Sequence, residues 1–303
     1  MKKILLTIFA ASLPFTSVIA ESWFTETLFD NWRQTMKVDK VLYQKKTDYQ
    51  DLMIFENELL GRVLSLDGAV QLTEADEYVY HEMLTHVPVL AHGNVKDVLI
   101  VGGGDGGMLR EMVRHKEIKR ITLVEIDRSV IELAKEYLPS LSKGAYNDPR
   151  VEIIIKDGAE FVKTTDRKYD VVICDSTDPI GPGEALFTAE FFANCKRVLK
   201  EKGIFVCQNG VPFMQKDELI GSFQKRAALF KDASFYVATV PTYVGGFMAF
   251  GWSTDEPSYR EITLAELKSR FQKLGIDTRY YTPEIHKASF ALPRFIEQQL
   301  SSN

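Results

Sequence analysis

Cysteine is scarce. Cys174, Cys195 and Cys207 are the three in 303 residues, and no two form a CxxC pair. That spacing excludes a zinc-ribbon site and a disulfide framework, and leaves all three as expected small buried hydrophobes. A basic excess is also missing: the formal charge is -5, against the usual signature of a nucleic-acid binder. No internal repeat and no low-complexity tract breaks the chain. Membrane-length apolar runs are absent too, because the longest candidate, Ile4 to Phe15, is short and contains Pro14. Lys2 and Lys3 before that run, and Val18-Ile19-Ala20 after it, have the layout of a secretory signal peptide. Residues 1–20 are therefore set apart as a signal-like segment or extension.

What remains is a chain of ordinary globular composition, 45% hydrophobic and 26% charged, long enough for one or two domains. Short alternating runs at Val38 to Tyr43, Asp51 to Phe55 and Arg62 to Leu66, punctuated by Asn57 and Asp67-Gly68, predict a small antiparallel sheet. Glu74 to Val89 reads as a helix with Thr73 as its N-cap and acids in the first turn.

From Lys96 the texture changes. Apolar runs at 98–101, 121–124, 151–155, 171–174 and 204–207 alternate with helical segments at 108–115, 129–137, 159–164 and 188–199. Such alternation predicts βαβ units and a parallel sheet covered on both faces, with Ser234 to Pro241 and Phe247 to Trp252 as a closing antiparallel pair. The expected fold is α/β: a small N-terminal antiparallel β domain at residues 21–90, then a Rossmann-like, doubly wound domain at 91–303. Ligands of such sheets bind beyond the carboxyl ends of the strands.

The first of these strands runs into Gly102-Gly103-Gly104-Asp105-Gly106-Gly107. Gly102, Gly104 and Gly107 satisfy GxGxxG, and Glu125 ends the next strand where a carboxylate accepts ribose hydroxyls. A dinucleotide site and a bare structural turn are the competing readings of the glycines. Asp105 counts against a pyrophosphate, because two unit charges about 4 Å apart at an effective dielectric near 20 repel by about 4 kcal/mol. It suits a cationic ligand instead. Asp157-Gly158, after the third strand, is placed to meet an adenine amino group or is a surface turn. The fourth strand delivers Asp175-Ser176-Thr177-Asp178-Pro179, two carboxylates at the ligand edge. The following Ile180-Gly181-Pro182-Gly183 breaks regular structure and suits a lid. With no histidine or further acid beside that pair in the sequence, no metal is expected. His81 and His86, five apart on a helix, face different ways and do not share one.

These residues resemble the spermidine synthases from Ser22 to the C-terminus, in order and at matching intervals. The segments are Trp23-Phe24-Thr25-Glu26-Thr27, Tyr49-Gln50-Asp51-Leu52, Leu66-Asp67-Gly68, Asp76-Glu77-Tyr78, Tyr80-His81-Glu82, the glycine loop, Val124-Glu125-Ile126-Asp127, Asp175 to Pro179, and Pro241-Thr242-Tyr243. The resemblance implies a methyltransferase-type sheet and transfer of an aminopropyl group from decarboxylated S-adenosylmethionine, a co-substrate rather than a cofactor, to putrescine. Asp175 would be the general base. Gln50, His81, Asp105, Glu125, Asp157 and Gly158 would bind the donor; Trp23, Tyr80, Asp178 and Tyr243 the acceptor; Gln71 and Gln208 would support them. It also implies a homodimer or homotetramer in polyamine biosynthesis, cytoplasmic despite the signal-like start. The alternatives are a diamine N-methyltransferase using S-adenosylmethionine, a nicotinamide oxidoreductase, and an exported binding protein without catalysis.

Overall fold

A computed structural model describes residues 21–179 and 181–301. The signal-like segment lies outside the described residues. The chain opens with an antiparallel pair, β1 (Ser22–Thr25) and β2 (Thr35–Val38). A four-stranded antiparallel meander follows: β3 (Lys40–Lys46), β4 (Asp51–Asn57), β5 (Gly61–Leu66) and β6 (Ala69–Thr73). Asn57 makes the β4–β5 turn by accepting the Leu59 and Leu60 amides on its side-chain oxygen, at 3.0 and 2.9 Å. Asp67 and Gly68 both take positive φ, 49° and 77°, as a tight hairpin of this hand requires. Period-two alternation gives the meander two apolar faces. Phe55, Val63 and Val70 pack with Phe24, Met36 and Val38 of the opening pair, while Leu52, Ile54, Leu64 and Leu72 face the helices beyond.

Helix α1 (Glu77–His92) leads from the meander into a seven-stranded sheet. It begins three residues later than predicted. Thr73 does engage Asp76, donating its hydroxyl at 2.7 Å, but the intervening residues form a turn rather than the first helical turn. The sheet strands are β7 (Asp97–Gly102), β8 (Arg120–Glu125), β9 (Val151–Ile155), β10 (Tyr169–Asp175), β11 (Leu199–Gln208), β12 (Asp232–Thr239) and β13 (Phe247–Thr254). Their spatial order is β12-β13-β11-β10-β7-β8-β9, with β13 antiparallel to both neighbours and the others parallel. The helices are α2 (Gly107–Val113), α3 (Arg128–Tyr137), α4 (Pro139–Ser142), α5 (Gly158–Thr164), α6 (Ala189–Val198), α7 (Lys216–Ala227), α8 (Leu264–Leu274), α9 (Pro283–Ser289) and α10 (Arg294–Ser301).

Both sheet faces are buried, as the near-continuous apolar strands require. Val98, Ile100, Val171, Ile173 and Ile204 pack beneath α1 and α2, while Leu99, Val101, Val172 and Phe205 pack against α5 and α6. The strand order reverses between β7 and β10, which opens a crevice at their carboxyl ends. Gly102 closes that crevice from below. Its φ is +83°, and a Cβ there would stand 1.9 Å from the Asp175 carbonyl oxygen. No side chain fits. Gly103 completes the join by donating its amide to the same carbonyl at 3.1 Å. Among the described residues, no helix is long and apolar enough to cross a membrane.

Candidate active site

A cavity of about 240 Å³ lies over the crevice, walled by the meander on one side and the parallel sheet on the other. Seven of its lining residues are acids, Asp67, Asp76, Glu77, Asp105, Glu125, Asp175 and Asp178, and none of the described ones is lysine or arginine. A smaller lobe of about 60 Å³ opens from it, sharing Gln71, Tyr80, Asp178 and Tyr243.

Asp105 projects from the loop between β7 and α2. Its Oδ1 accepts the Gly107 amide at 2.7 Å and lies 3.3 Å from His81 Nε2. The other His81 nitrogen, Nδ1, meets Glu77 Oε2 at 2.6 Å. Arg110 then grips both Glu77 oxygens at 2.9 Å and reaches Glu111 with Nε at 2.7 Å. Burial opposes charge on His81, but Asp105 and Glu77 override it and push the imidazole up to about 10. Burial likewise opposes the Asp105 charge, and the imidazolium holds its carboxyl below the usual range.

Asp175, at the end of β10, accepts the Tyr80 hydroxyl on Oδ1 at 2.7 Å. Its Oδ2 is buried with no hydrogen-bond partner. Burial, reinforced by the Asp105 charge, pushes this carboxyl up to about 6. Glu125 is pushed by burial up to about 7, although its Oε1 accepts the Asp127 amide at 2.9 Å. Tyr243 stands edge-on to Tyr80, ring centroids 6.1 Å apart, and donates its hydroxyl to the Gln71 carbonyl at 2.6 Å. Asp178, raised by burial, accepts from Gln215 Nε2 at 2.7 Å.

Nine sequence-predicted residues meet in this cavity: Gln50, Gln71, Tyr80, His81, Asp105, Glu125, Asp175, Asp178 and Tyr243. Gln208 lines the smaller lobe, its amide donating to the Thr177 carbonyl at 3.0 Å. Three residues fall elsewhere. Trp23 is 53% exposed on β1 and lines neither lobe, because strand alternation turns its neighbour Phe24 inward. Asp157 is exposed and caps α5, accepting the Ala159 amide at 2.7 Å. Gly158 packs on Val101, and a Cβ there would come within 3.8 Å of Leu186, a cavity residue.

Two further expectations are corrected. Histidine is close to the Asp175 pair after all, since α1 delivers His81 from far upstream, and His81, Asp105 and Asp175 present ligand-type atoms within 4.8 Å of one another. Both imidazole nitrogens already face carboxylates, Nδ1 on Glu77 at 2.6 Å and Nε2 on Asp105 at 3.3 Å. The stretch after Pro179 is also more regular than predicted: Gly181–Phe187 forms a 3-10 helix. Sequence reasoning gave no part in the site to Glu77, read only as a first-turn acid, or to Glu26, although both sit in its motifs, and did not find Gln215 or Glu218.

A glycine loop and a strand-end acid on a sheet with one antiparallel strand, beside an acid-lined cavity, define a Rossmann-like protein of the methyltransferase type. The comparisons with known proteins narrow the class. A spermine/spermidine synthase domain matches residues 77–263, and a spermidine synthase tetramerisation domain matches residues 22–74. The polyamine aminopropyltransferase of Pectobacterium carotovorum subsp. carotovorum (strain PC1) is 56% identical over 282 residues, covering 93% of this chain and 98% of that relative. That of Serratia proteamaculans (strain 568) is 54% identical over 281 residues, covering 93% and 98%. A spermidine synthase solved with the transition state analogue AdoDATO matches at TM-score 0.88 and 39% identity, over 92% of this chain and 94% of its own. The spermidine synthase of Thermotoga maritima matches at TM-score 0.84 and 37% identity, with the same coverage. The chain belongs to the spermine/spermidine synthase family.

Proposed function

We propose that this aminopropyltransferase moves the aminopropyl group of decarboxylated S-adenosylmethionine onto putrescine, giving spermidine and methylthioadenosine. The observation that carries the reading is the cavity lined by seven acids, against which the described lining residues set one histidine, His81, and no lysine or arginine. It suits two cationic substrates held side by side.

In the proposed arrangement Glu125 takes the donor ribose, Asp157 and Gly158 border the adenine, and Asp105 with Gln50 holds the aminopropyl ammonium. Tyr80, Asp178 and Tyr243 place the acceptor. Its attacking nitrogen forms a bond to the methylene beside sulfur, the C–S bond breaks, and its electron pair stays on neutral methylthioadenosine. The proton lost from nitrogen goes to Asp175, whose unpartnered Oδ2 is free to accept it. An amine near 10.4 and a carboxyl at about 6 differ by about 6 kcal/mol in proton affinity. A carboxyl at its ordinary 3.8 would add about 3 kcal/mol to that gap. Burial of the ammonium lowers it further, and alignment of the two reactants contributes the rest. The reaction so written calls on neither a metal nor a resident cofactor.

Incubation with putrescine and each donor in turn tests the assignment. Spermidine with methylthioadenosine is expected from the decarboxylated donor only. Methylputrescine with adenosylhomocysteine would make the protein an N-methyltransferase instead. Asp105→Asn is expected to weaken discrimination against S-adenosylmethionine, whose extra carboxylate the native aspartate repels. Competition between the two donors measures it, and unchanged relative affinities would remove that explanation.

The match to a tetramerisation domain, and exposed Trp23, Trp32, Val41 and Leu59 within it, support assembly as a homotetramer. Light scattering of the purified protein checks this. Three unpaired buried cysteines suit a reducing, cytoplasmic compartment, which cell fractionation would test.

A further inference from the structure

The smaller lobe of the cavity ends on residues outside every segment that carries the family resemblance. Gln215 directly precedes α7, yet its side chain does not cap that helix. Its Oε1 instead accepts the Val211 amide at 2.7 Å, which fixes the orientation of the amide group. Nε2 is then left to donate, to Asp178 Oδ1 at 2.7 Å and to Glu218 Oε2 at 3.1 Å. One neutral amide thus bridges two carboxyl groups.

Holding two acids this way is unfavourable unless a cation arrives between or beside them. Neither Asp178 nor Glu218 has a lysine, arginine or histidine within salt-bridge distance among the described residues. Glu218 Oε1 is buried with no hydrogen-bond partner. Burial and the Asp178 charge push the Glu218 carboxyl up to about 8, so below that pH it keeps its proton until a cation takes the proton's place. Glu26, which lines the lobe together with Asp178, is different. Its two oxygens already accept the Val70 amide and the Gln34 amide, each at 2.8 Å. A stabilising role at the α7 dipole would account for Glu218 in the first helical turn, but not for the Gln215 side chain turned towards Asp178.

We infer that Gln215 and Glu218 are positioning residues: they hold Asp178 in a two-carboxyl receptor for the far ammonium of the acceptor, and so set the preference for a diamine over a monoamine. This rests on the diamine reading of the site. The attacking nitrogen must become neutral, whereas the far nitrogen stays an ammonium and is the group that this end of the lobe suits. A monoamine would gain nothing from it.

The test is selectivity in Gln215→Met and Glu218→Gln, both close in shape to the native residue. With saturating donor, kcat/KM is measured for putrescine and for n-butylamine. Gln215→Met is expected to lower the putrescine to n-butylamine ratio about tenfold, mainly through KM, consistent with loss of one hydrogen bond to a charged group. Glu218→Gln is expected to lower it about threefold or more. A purely structural role would depress both amines alike, and an unchanged ratio in both variants overturns the inference. Should Gln215→Met not fold, Glu218→Gln decides. Should the wild type make no spermidine, the transfer reading has failed. Calorimetric affinities of the same two amines, with methylthioadenosine present, then decide the receptor: wild-type affinities that are equal, or a preference that survives both substitutions, overturn it.

Discussion

Asp175→Asn is expected to lower kcat by about 10²–10⁴-fold, the range for removing a general base. The asparagine keeps the shape and can still accept the Tyr80 hydroxyl, so donor affinity is expected to hold. The native carboxyl, pushed to about 6 by burial and the Asp105 charge, is ionised and able to take a proton above that pH and protonated below it. The wild-type kcat/KM for putrescine is accordingly expected to fall as pH drops through about 6, and the variant to lose that acidic limb. A pH–rate profile of both enzymes measures it. Near-normal turnover in Asp175→Asn would take the base role away from this residue.

The second large effect is expected in the charge chain behind the donor loop. Arg110 is buried and binds Glu77 and Glu111 at once, and Glu77 in turn holds His81 against Asp105. Arg110→Met leaves two buried carboxylates short of a cation. Breaking such a pair costs about 3–5 kcal/mol, which in a chain of this size lowers the unfolding temperature by roughly 10 °C. At temperatures where the variant remains folded, KM for the donor is expected to rise, because His81 loses its anchor. A thermal melt within about 2 °C of wild type would show that other groups carry the Glu77 and Glu111 charges.

The parallel sheet was legible because strands buried on both faces are near-continuous apolar runs, and the acids that end them, Glu125 and Asp175, fall where ligands bind. The motif order supplied Gln50, Tyr80 and Tyr243, whose convergence no local pattern reveals. The resemblance put His81 near Asp105, but position along the chain says nothing of contacts across it, so the Glu77–Arg110 chain behind His81 and the Gln215 bridge were out of reach. Trp23 lies outside the cavity of the single chain for a simpler reason. Once β1 is recognised as a strand with Phe24 inward, its neighbour must face outward. The short strands β1 and β2, four residues each, have too few alternations to announce themselves.

One small knot of hydrogen bonds has a wider consequence. Asp76 Oδ2 accepts both the amide and the hydroxyl of Thr242, at 2.8 and 2.7 Å, while Gln34 reaches the Thr242 carbonyl at 2.9 Å. Tyr243, far downstream of β2 in the chain, is thereby moored to the opening pair of strands. In the proposed arrangement, peeling that pair away would slacken the amine end of the cleft while the nucleoside end still stood, so the two substrates would lose their footing in sequence and not together.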